Sequence, residues 1–302
     1  MPSFSGVIPP VVSPMLTPDR LDGAAVARIV EHLISGGVSG LFVLGTTGEG
    51  PSLTDQMRYE MVELTCKAAA GRVPVFVGVT DTCLADSLAL AEHAARCQAA
   101  AIVAAAPFYF DVSQEALGTW FDSLATASPL PLMLYNMPSC VGVVLGLPMV
   151  EILSHHSNII GIKDSGGDMT YFGSLCERYR HRSDFVVFIG PEEKLAEAVA
   201  LGAAGGVCGG ANLLPHVYTS LYKAATCGDH ATVAKTKDLI HRVSESVYFD
   251  DDQMNLIPGL KLAMHELGLC NAVVAPPLSL VTEPHASKIR SALPQLLEAS
   301  KL

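Results

Sequence analysis

The sequence has little charge, and basic charge is the scarcer kind. Charged residues make up 16% of the 302 residues, and 19 lysines and arginines face 30 aspartates and glutamates, which gives a formal net charge of -11. Nucleic-acid binding depends on clustered lysine and arginine, so the composition argues against a nucleic-acid partner. An anionic substrate stays possible, because backbone amides and hydroxyl groups bind carboxylates inside acidic proteins.

Long apolar runs are missing as well. None approaches the ~20 residues that a membrane-spanning helix requires, and residues 1–6 lack the basic and apolar stretches of a secretory signal. The sequence therefore predicts a cytoplasmic protein with no membrane partner. Because 50% of the residues are hydrophobic, the chain can bury a large core, which excludes a disordered chain.

The cysteines lack the spacing of a metal or redox site. No Cys-x-x-Cys pair occurs, and no cysteine is grouped with histidine at zinc spacing. We interpret them as reduced residues of the core, since several lie inside apolar patterns, and we expect no metal. The eight cysteines are Cys66, Cys83, Cys97, Cys140, Cys176, Cys208, Cys227 and Cys270.

Short apolar segments alternate with helical patterns over the first two thirds of the chain. The predicted strands are rich in Val, Ile, Leu and Ala, and cover 5–12, 40–45, 73–80, 100–107, 131–136, 158–163, 184–190 and 204–208. The predicted helices between them cover 24–35, 54–70, 85–98, 114–127, 148–155, 169–179 and 192–201, with Thr54 as an N-cap and Gly202 just beyond a helix end.

Eight such units predict a closed (β/α)₈ TIM barrel. The alternative, an open doubly wound sheet, has no reason to stop at eight. Four further helical patterns follow, over 214–227, 231–247, 255–267 and 284–301. We therefore expect one domain, with the barrel in residues 1–226 and a C-terminal helical extension in 227–302.

Polar residues follow several predicted strands, and active sites of TIM barrels form at these carboxyl ends. Lys163 closes the apolar run from Asn158 to Ile162. A two-residue period places Lys163 on one face with Ile159 and Gly161, and Ile160 and Ile162 on the other. A lysine inside the barrel loses hydration, which favours the neutral amine that attacks carbonyls. The alternative is a strand cap paired with Asp164. The other lysines, Lys261 included, lie in helical or terminal segments where solvent exposure is expected.

Two further strand ends carry polar groups. The turn Gly45-Thr46-Thr47-Gly48-Glu49 offers backbone amides and two hydroxyls that suit a carboxylate, although an ordinary glycine-rich turn would look the same. Tyr135 ends a buried strand, where its hydroxyl can transfer protons or can simply satisfy one hydrogen bond.

Taken together, Gly45–Glu49, Tyr135-Asn136-x-Pro138 and Gly161-x-Lys163-Asp164 resemble the dihydrodipicolinate synthase/N-acetylneuraminate lyase family, over about Gly6 to Leu280. The resemblance implies that Lys163 forms a Schiff base with pyruvate or another 2-oxo acid and that Tyr135 relays protons. It implies that the Thr46-Thr47 turn binds the carboxylate and that Tyr109 reaches across a dimer interface. It also implies a homotetramer built as a dimer of dimers.

The expected catalytic residues are therefore Lys163, Tyr135, Thr46 and Tyr109. The expected substrate contacts are Thr46, Thr47, Gly48, Ser165, Gly190, Glu192, Glu193 and Gly209. We expect no metal or organic cofactor, because the covalent Schiff base on Lys163 supplies the electron sink.

The substrate is less closely defined. Synthases that make dihydrodipicolinate usually have an arginine two residues after the proline of the Tyr-Asn-x-Pro segment, and Cys140 occupies that position here. A thiol cannot make the bidentate carboxylate contact of an arginine. Gly190–Glu193 resembles the acidic strand end of N-acetylneuraminate lyases, and the segments 163–168 and 257–261 resemble those of 4-hydroxy-2-oxoglutarate aldolases.

These departures favour an aldolase of a hydroxylated 2-oxo acid, either a sialic-acid-like or a 2-keto-3-deoxy sugar acid. The alternative within the family is 4-hydroxy-tetrahydrodipicolinate synthase, which condenses pyruvate with aspartate semialdehyde. A 2-oxo acid sensor without turnover is an alternative of another class. Binding needs no nucleophile, so Lys163 together with Tyr135, Thr46 and Tyr109 argues against it.

Overall fold

The barrel sheet contains all eight predicted parallel strands. A computed structural model describes residues 4–248 and 253–301, the side chains of 253–255 excepted. Residues 249–252 and 302 of the predicted extension lie outside this range. The strands of the described part are β1 (Gly6–Val7), β2 (Met15–Thr17), β3 (Arg20–Leu21), β4 (Leu41–Val43), β5 (Val75–Gly78), β6 (Ala101–Ala105), β7 (Leu132–Asn136), β8 (Ile159–Asp164), β9 (Val186–Ile189) and β10 (Gly205–Gly206).

The sheet closes on itself, which confirms the predicted TIM barrel. Its order is β1-β10-β9-β8-β7-β6-β5-β4, and every pairing is parallel. A parallel bridge between Pro10 and Phe42 joins the two ends. There the Val11 N–H donates to the Phe42 carbonyl at 2.8 Å, and the Phe42 N–H donates to the Pro9 carbonyl at 3.0 Å. The carboxyl ends of all eight strands therefore meet at one rim.

Helices surround the barrel and continue beyond it. They are α1 (Gly23–Ser35), α2 (Asp55–Ala69), α3 (Leu84–Arg96), α4 (Gln114–Ala127), α5 (Pro138–Val141), α6 (Leu147–Leu153), α7 (Met169–Tyr179), α8 (Leu195–Leu201), α9 (Pro215–Cys227), α10 (His230–Val243), α11 (Gln253–Glu266) and α12 (Glu283–Ala299). Helix α9 packs on α8 and β1 as the last barrel helix, and α12 packs on α10 and α11. No helix of the described residues is long and apolar enough to cross a membrane.

The predicted helix ends follow from local hydrogen bonding. The Thr54 side chain accepts a hydrogen bond from the Met57 N–H at 3.2 Å, which confirms it as the N-cap of α2. Gly202 ends α8 in the left-handed conformation, with φ of 103°, where a side chain would be strained.

Some short elements were not predicted. A hairpin of β2 and β3 precedes α1, and the helix expected over 192–201 is divided into a 3₁₀ turn, Glu192–Lys194, followed by α8. The strands of the hairpin have three and two residues, and the four-residue helix α5 is just as short. Elements of this length show no apolar period, so no sequence pattern reveals them.

The barrel interior and the layer under the helices are separate apolar cores. The interior cluster comes from the strand segments, and includes Phe42, Phe76, Met133, Tyr135 and Phe188. The larger cluster joins the outer faces of the strands to the surrounding helices. The interior is therefore filled with large side chains that support the residues at the rim.

The predicted alternation along β8 is wrong at its start. Leu132 pairs with Ile159, whereas the next residue, Met133, pairs with Gly161, so β8 carries one extra residue there. Ile160 consequently faces the interior and Ile159 the outer core, the reverse of the expectation. Beyond this bulge the alternation resumes, with Ile162 in the outer core as predicted.

Three cysteines do not lie in the core as expected. None of the eight forms a disulfide, but only Cys176, Cys208 and Cys270 are buried, and Cys83, Cys140 and Cys227 are exposed. Cys83 precedes the first residue of α3 and Cys227 is the last residue of α9. Helix ends face solvent at these places, and hydropathy patterns give no sign of that.

Candidate active site

Lys163 lies inside the barrel, near its carboxyl rim. The residue is 5% exposed, and its Nζ is 3.9 Å from the centroid of the Tyr135 ring and 5.3 Å from that of Phe42. Aromatic faces attract a cation at such distances. The two rings therefore hold the amine at the top of the interior core.

The alternative partner, Asp164, binds other groups on the opposite side of β8. Its Oδ1 accepts hydrogen bonds from Asn136 Nδ2 at 2.7 Å and from the Gly166 N–H at 3.0 Å. Burial raises the pKa of Asp164, and the hydrogen bonds from Asn136 and Gly166 offset part of this effect. Lys163 is therefore not the capping partner of Asp164, and the amine is left facing the interior.

The turn after β4 is tightly closed on itself. The Glu49 N–H donates to the Thr46 carbonyl at 2.9 Å, and the Gly50 N–H donates to the Gly45 carbonyl at 3.2 Å. Glu49 has a φ of 55°, which is left-handed and uncommon for a side-chain-bearing residue. A Cβ on Gly48 would lie 2.8 Å from the Val11 carbonyl oxygen. Only glycine fits at that position, because the turn packs directly against the backbone of Val11.

This turn is linked to the tyrosine of β7. The Thr46 Oγ1 and the Tyr135 hydroxyl oxygen are 3.2 Å apart, and either can donate. Tyr135 is only 5% exposed, and this partly buried hydrogen bond lies where both residues line the cavity. The amine of Lys163, the Tyr135 phenol and the Thr46 hydroxyl therefore form one continuous group.

A cavity of about 220 Å³ brings most of the predicted site residues together. From the predicted set it is lined by Thr46, Thr47, Tyr135, Lys163, Ser165, Gly190, Glu192, Glu193 and Gly209. Gly48 lies behind the lining, where its carbonyl accepts a hydrogen bond from Ser13 Oγ at 2.7 Å. A larger groove of about 1120 Å³, at the opposite end of the barrel, contains none of these residues.

A second cavity adjoins the first. It has a volume of about 300 Å³ and shares Thr46, Tyr135, Met137 and Ile257 with the Lys163 cavity. Its other lining residues are mostly apolar, and Cys140 is among them. Although Cys140 is exposed as a residue, partial burial of its thiol against this cavity raises the pKa of the thiol. Cys140, at the position where the dihydrodipicolinate-forming synthases usually have an arginine, is thus next to the turn and uncharged.

The acidic pair at the end of β9 is held by residues that the sequence did not indicate. Glu192 Oε1 accepts hydrogen bonds from the hydroxyls of Tyr218 at 2.8 Å and Tyr248 at 2.9 Å, and Oε2 accepts from the Gly210 N–H at 2.8 Å. Burial, together with the charge of Glu193, raises the pKa of Glu192 to about 7. In sequence, both tyrosines resemble ordinary core aromatics of helical segments.

Glu193 is less enclosed than its neighbour. It is partly exposed and accepts a hydrogen bond from Ser244 Oγ. Because Glu192 already accepts three hydrogen bonds from the protein, Glu193 has more capacity left for a substrate hydroxyl.

Lys261 is not the solvated lysine that its helical segment predicted. Its side chain is 0% exposed, and it pairs with Glu49, which is also buried. The sequence indicated this only weakly, through apolar residues on both sides of Lys261. The glutamate of the turn therefore binds a lysine more than two hundred positions away.

Tyr109 lies outside the site of its own chain. It is 79% exposed, and its ring packs edge-on against Phe110 with centroids 5.1 Å apart. Phe108 and Phe110 are exposed beside it. Its predicted role across a dimer interface stays a prediction. Among the described residues, no group of three or more His, Cys, Asp or Glu side chains could hold a metal ion.

The family model of the dihydrodipicolinate synthetase family matches residues 3–296. The chain is similar to the dihydrodipicolinate synthase of Bacteroides thetaiotaomicron, with 41% identity, a TM-score of 0.93, and coverage of 97% of this chain and 98% of that one. It is 31% identical to the 4-hydroxy-tetrahydrodipicolinate synthase of Phenylobacterium zucineum over 292 residues, which cover 97% of each chain.

A third relative carries a different name. YagE of Escherichia coli K12, whose name refers to 2-dehydro-3-deoxy-D-gluconate aldolase, is 31% identical over 299 residues and 97% of each chain. The structure of YagE in complex with pyruvate gives a TM-score of 0.89 at 30% identity, and covers 97% of this chain and 99% of that one. The relatives thus include both synthases and an aldolase-named protein.

Proposed function

The chain belongs to the dihydrodipicolinate synthetase family and is an enzyme of the carbon–carbon lyase class, and we propose that it acts through a Schiff base between Lys163 and pyruvate or a hydroxylated 2-oxo acid. The observation that carries the proposal is the position of Lys163. Its amine is buried against the Tyr135 ring, beside a hydroxyl-lined turn and open to a cavity.

The reaction begins when the neutral amine of Lys163 attacks the 2-oxo carbon. A C–N bond forms and the C–O bond breaks. The carbonyl oxygen takes one hydrogen from the amine and one proton from solvent and leaves as water, and a positively charged iminium remains. This iminium accepts the electron pair of a bond that breaks next to it, either a C–H bond or the C–C bond of an aldol. Amides and hydroxyls of the Thr46-Thr47 turn hold the carboxylate, which fixes the orientation of the reacting carbons.

Aldol cleavage also requires a base for the substrate hydroxyl. Tyr135 takes this proton as the C–C bond breaks and the aldehyde leaves, and passes it through Thr46. Tyr135 returns a proton to the terminal carbon of the resulting enamine, and water then hydrolyses the iminium to release pyruvate and restore Lys163. Condensation follows the same steps in reverse. No metal or organic cofactor takes part in the proposal.

The charges at the site favour a hydroxylated substrate over one with a second carboxylate. Among the described residues that line the two cavities, Lys163 is the one cationic side chain. Glu192 and Glu193 line the Lys163 cavity. Glu193 would repel another carboxylate and can accept hydrogen bonds from sugar hydroxyls, whereas Glu192, whose pKa is raised to about 7, carries only part of its charge near neutral pH. A sialic-acid-like or 2-keto-3-deoxy sugar acid suits this lining.

The synthase reaction is the second candidate. It is favoured by the names of two relatives, including the synthase at 41% identity. Its weakness is Cys140, which offers a thiol where the aspartate semialdehyde carboxylate would need a cation. A homotetramer in the cytoplasm, with the partner subunit's Tyr109 completing the proton relay, belongs to the same proposal for either reaction.

A panel of substrates tests the proposal. N-acetylneuraminate, 2-keto-3-deoxygluconate and 4-hydroxy-2-oxoglutarate are each incubated with the enzyme, and pyruvate release is followed, with the Lys163→Ala variant as control. The proposal predicts release from at least one of them. Condensation of pyruvate with aspartate semialdehyde in the absence of such release would make the synthase the function. No turnover of any 2-oxo acid would indicate a sensor.

A further inference from the structure

A fully buried ion pair ties the C-terminal helices to the turn after β4. Lys261 of α11 and Glu49 of the turn both have side chains with 0% exposure. Lys261 Nζ donates to Glu49 Oε1 and, at 2.7 Å, to the Val273 carbonyl. Glu49 Oε2 accepts from the Ala275 N–H at 2.7 Å. Both carboxylate oxygens are therefore fixed, and by two different C-terminal segments.

Stability alone is a poor explanation for this pair. Two charges lose their hydration on burial, and an apolar pair of similar volume is often as stable or more so. Burial lowers the pKa of Lys261, although the charge of Glu49 opposes this shift. The pair is therefore costly, and a geometric requirement at Glu49 explains its presence better.

That requirement lies in the backbone of the turn. Glu49 is left-handed, and its N–H closes the turn onto the Thr46 carbonyl. A side chain held at Oε1 and Oε2 keeps the Glu49 backbone in this conformation. The directions of the Thr47 and Gly48 amides then follow, because these two residues lie between the fixed ends.

The same segments supply walls of the cavities. Ile257, one helical turn before Lys261, lines both cavities, and Pro277 and Leu278, shortly after Ala275, line the apolar one. A change in the ion pair would thus reach the turn and the cavity walls together.

We propose that Glu49 and Lys261 are positioning residues, which act through Thr46 and Thr47 to aim the turn at the carboxylate of the 2-oxo acid. This inference rests on the proposed function, since it assumes that the turn binds that carboxylate. It also implies that α11 and the segment 273–275 help to shape the site.

The test measures the pyruvate concentration that gives half-maximal borohydride trapping at Lys163, by intact mass. Methyl pyruvate, which has no carboxylate, is measured in parallel. The variants are Glu49→Gln, Lys261→Met and the apolar pair Glu49→Met with Lys261→Met. Lys237→Met is the matched control, because it breaks a partly exposed lysine–glutamate pair, with Glu197, whose residues do not line either cavity.

We expect half-saturation by pyruvate to require roughly 10- to 100-fold more ligand in both single variants, because misplaced binding groups lose affinity steeply. Methyl pyruvate should change less, and Lys237→Met should match the natural chain for both ligands. In the double variant, Glu49→Met with Lys261→Met, the melting temperature should recover, whereas half-saturation should still require more pyruvate than in the natural chain. Recovery of stability without recovery of pyruvate binding would indicate that the ion pair positions the turn.

Unchanged half-saturation by pyruvate in folded single variants would overturn the inference. Joint recovery of melting temperature and pyruvate binding in the apolar pair would also overturn it, since the ion pair would then serve stability only. If the single variants do not fold, the double variant alone is the test: stability that recovers without pyruvate binding supports the inference, and recovery of both overturns it. Failure of the natural chain to be trapped by pyruvate would instead refute the proposed function.

Discussion

The Tyr135 hydroxyl lies 3.2 Å from the Oγ1 of Thr46. Tyr135 is the penultimate residue of β7 and Thr46 lies in the turn after β4, so the hydrogen bond spans the mouth of the barrel. Since either oxygen can donate, a proton can pass in both directions between them. A group that both takes and returns a proton suits an enzyme that works through an iminium and an enamine.

Replacing Tyr135 with Phe tests this proton path. The ring next to Lys163 is kept and the hydroxyl is lost, so turnover should fall by ~10²–10⁴ if Tyr135 carries the proton. Turnover of the best substrate from the panel is the measurement, and trapping of pyruvate by borohydride, which should survive, is the control. A loss of only a few-fold in kcat would reduce Tyr135 to a packing residue.

Glu192 should make stability depend on pH. Its pKa is raised to about 7 in the folded protein, so between the usual glutamate value and 7 the folded chain holds a proton that the unfolded chain releases. Stability is therefore lost as pH rises through this window. Glu192→Gln removes this pH dependence. The free energy of unfolding of the variant, relative to that of the natural chain, should therefore rise by on the order of 3 kcal/mol between pH 4 and pH 8.

Denaturant unfolding of both proteins across this range measures the difference. Glu197→Gln is the control with the opposite shift, because the Lys237 ammonium lowers the pKa of Glu197 despite its partial burial. Because the pKa of Glu197 is lowered and glutamate in the unfolded chain is already mostly ionised above about pH 5, this variant should show a nearly constant difference from pH 5 to pH 8. Parallel stability profiles for Glu192→Gln and the natural chain would contradict the assignment.

The sequence predicted the barrel and most of the cavity lining because both depend on local patterns. Apolar runs closed by Gly, Pro or Asn marked the strands, and the rule that sites form at their carboxyl ends brought Lys163, Tyr135 and Thr46 together. The left-handed conformation of Glu49 and the bulge before Gly161 depend on contacts with other segments instead. The spacing of apolar residues along the sequence does not reveal such contacts.

The supporting residues of the site were missed for the same reason. Tyr218 and Tyr248 bind Glu192, and Lys261 binds Glu49, from segments far along the chain. A lysine in an amphipathic helix is exposed in most proteins, and the same exposure was expected for Lys261. Among the described residues, Lys261 is the one helical lysine that is fully buried. Such partners become visible only when the fold is known.

Tyr109 should act in the site of a neighbouring subunit. A mixture of Tyr109→Phe and Lys163→Ala subunits, each nearly inactive alone, should form hybrids in which one site has both residues. Equal, freely exchanging amounts should regain roughly a quarter of natural activity, since half of random dimers are mixed and each contains one complete site.

The control mixture combines Tyr135→Phe with Lys163→Ala. Both residues belong to the same subunit's site, so no mixed dimer has a complete site and activity should stay low. Recovery in the control, or an active enzyme that sediments strictly as a monomer, would rule out the shared site.

Cys140 should limit the use of a second carboxylate. A missing charge-assisted contact is worth about 1.5–3 kcal/mol, or roughly ten- to a hundredfold in kcat/KM. Cys140→Arg should therefore raise condensation of pyruvate with aspartate semialdehyde relative to neutral hydroxyaldehydes. Cys140→Ser, which adds no charge, is the control. Efficient condensation with aspartate semialdehyde by the natural chain would make the synthase the leading function.

The most direct measurement is the site of covalent labelling. Pyruvate followed by borohydride should add one stable mass to the protein, and peptide mapping should place it on Lys163. Lys163→Ala should not be labelled at all, and Lys163→Arg should behave the same way, because a permanently protonated guanidinium cannot attack a carbonyl. Lys194→Ala, which removes an exposed lysine at the same rim, should be labelled like the natural chain. A label on another lysine, or a label that persists in Lys163→Ala, would contradict the Schiff-base mechanism.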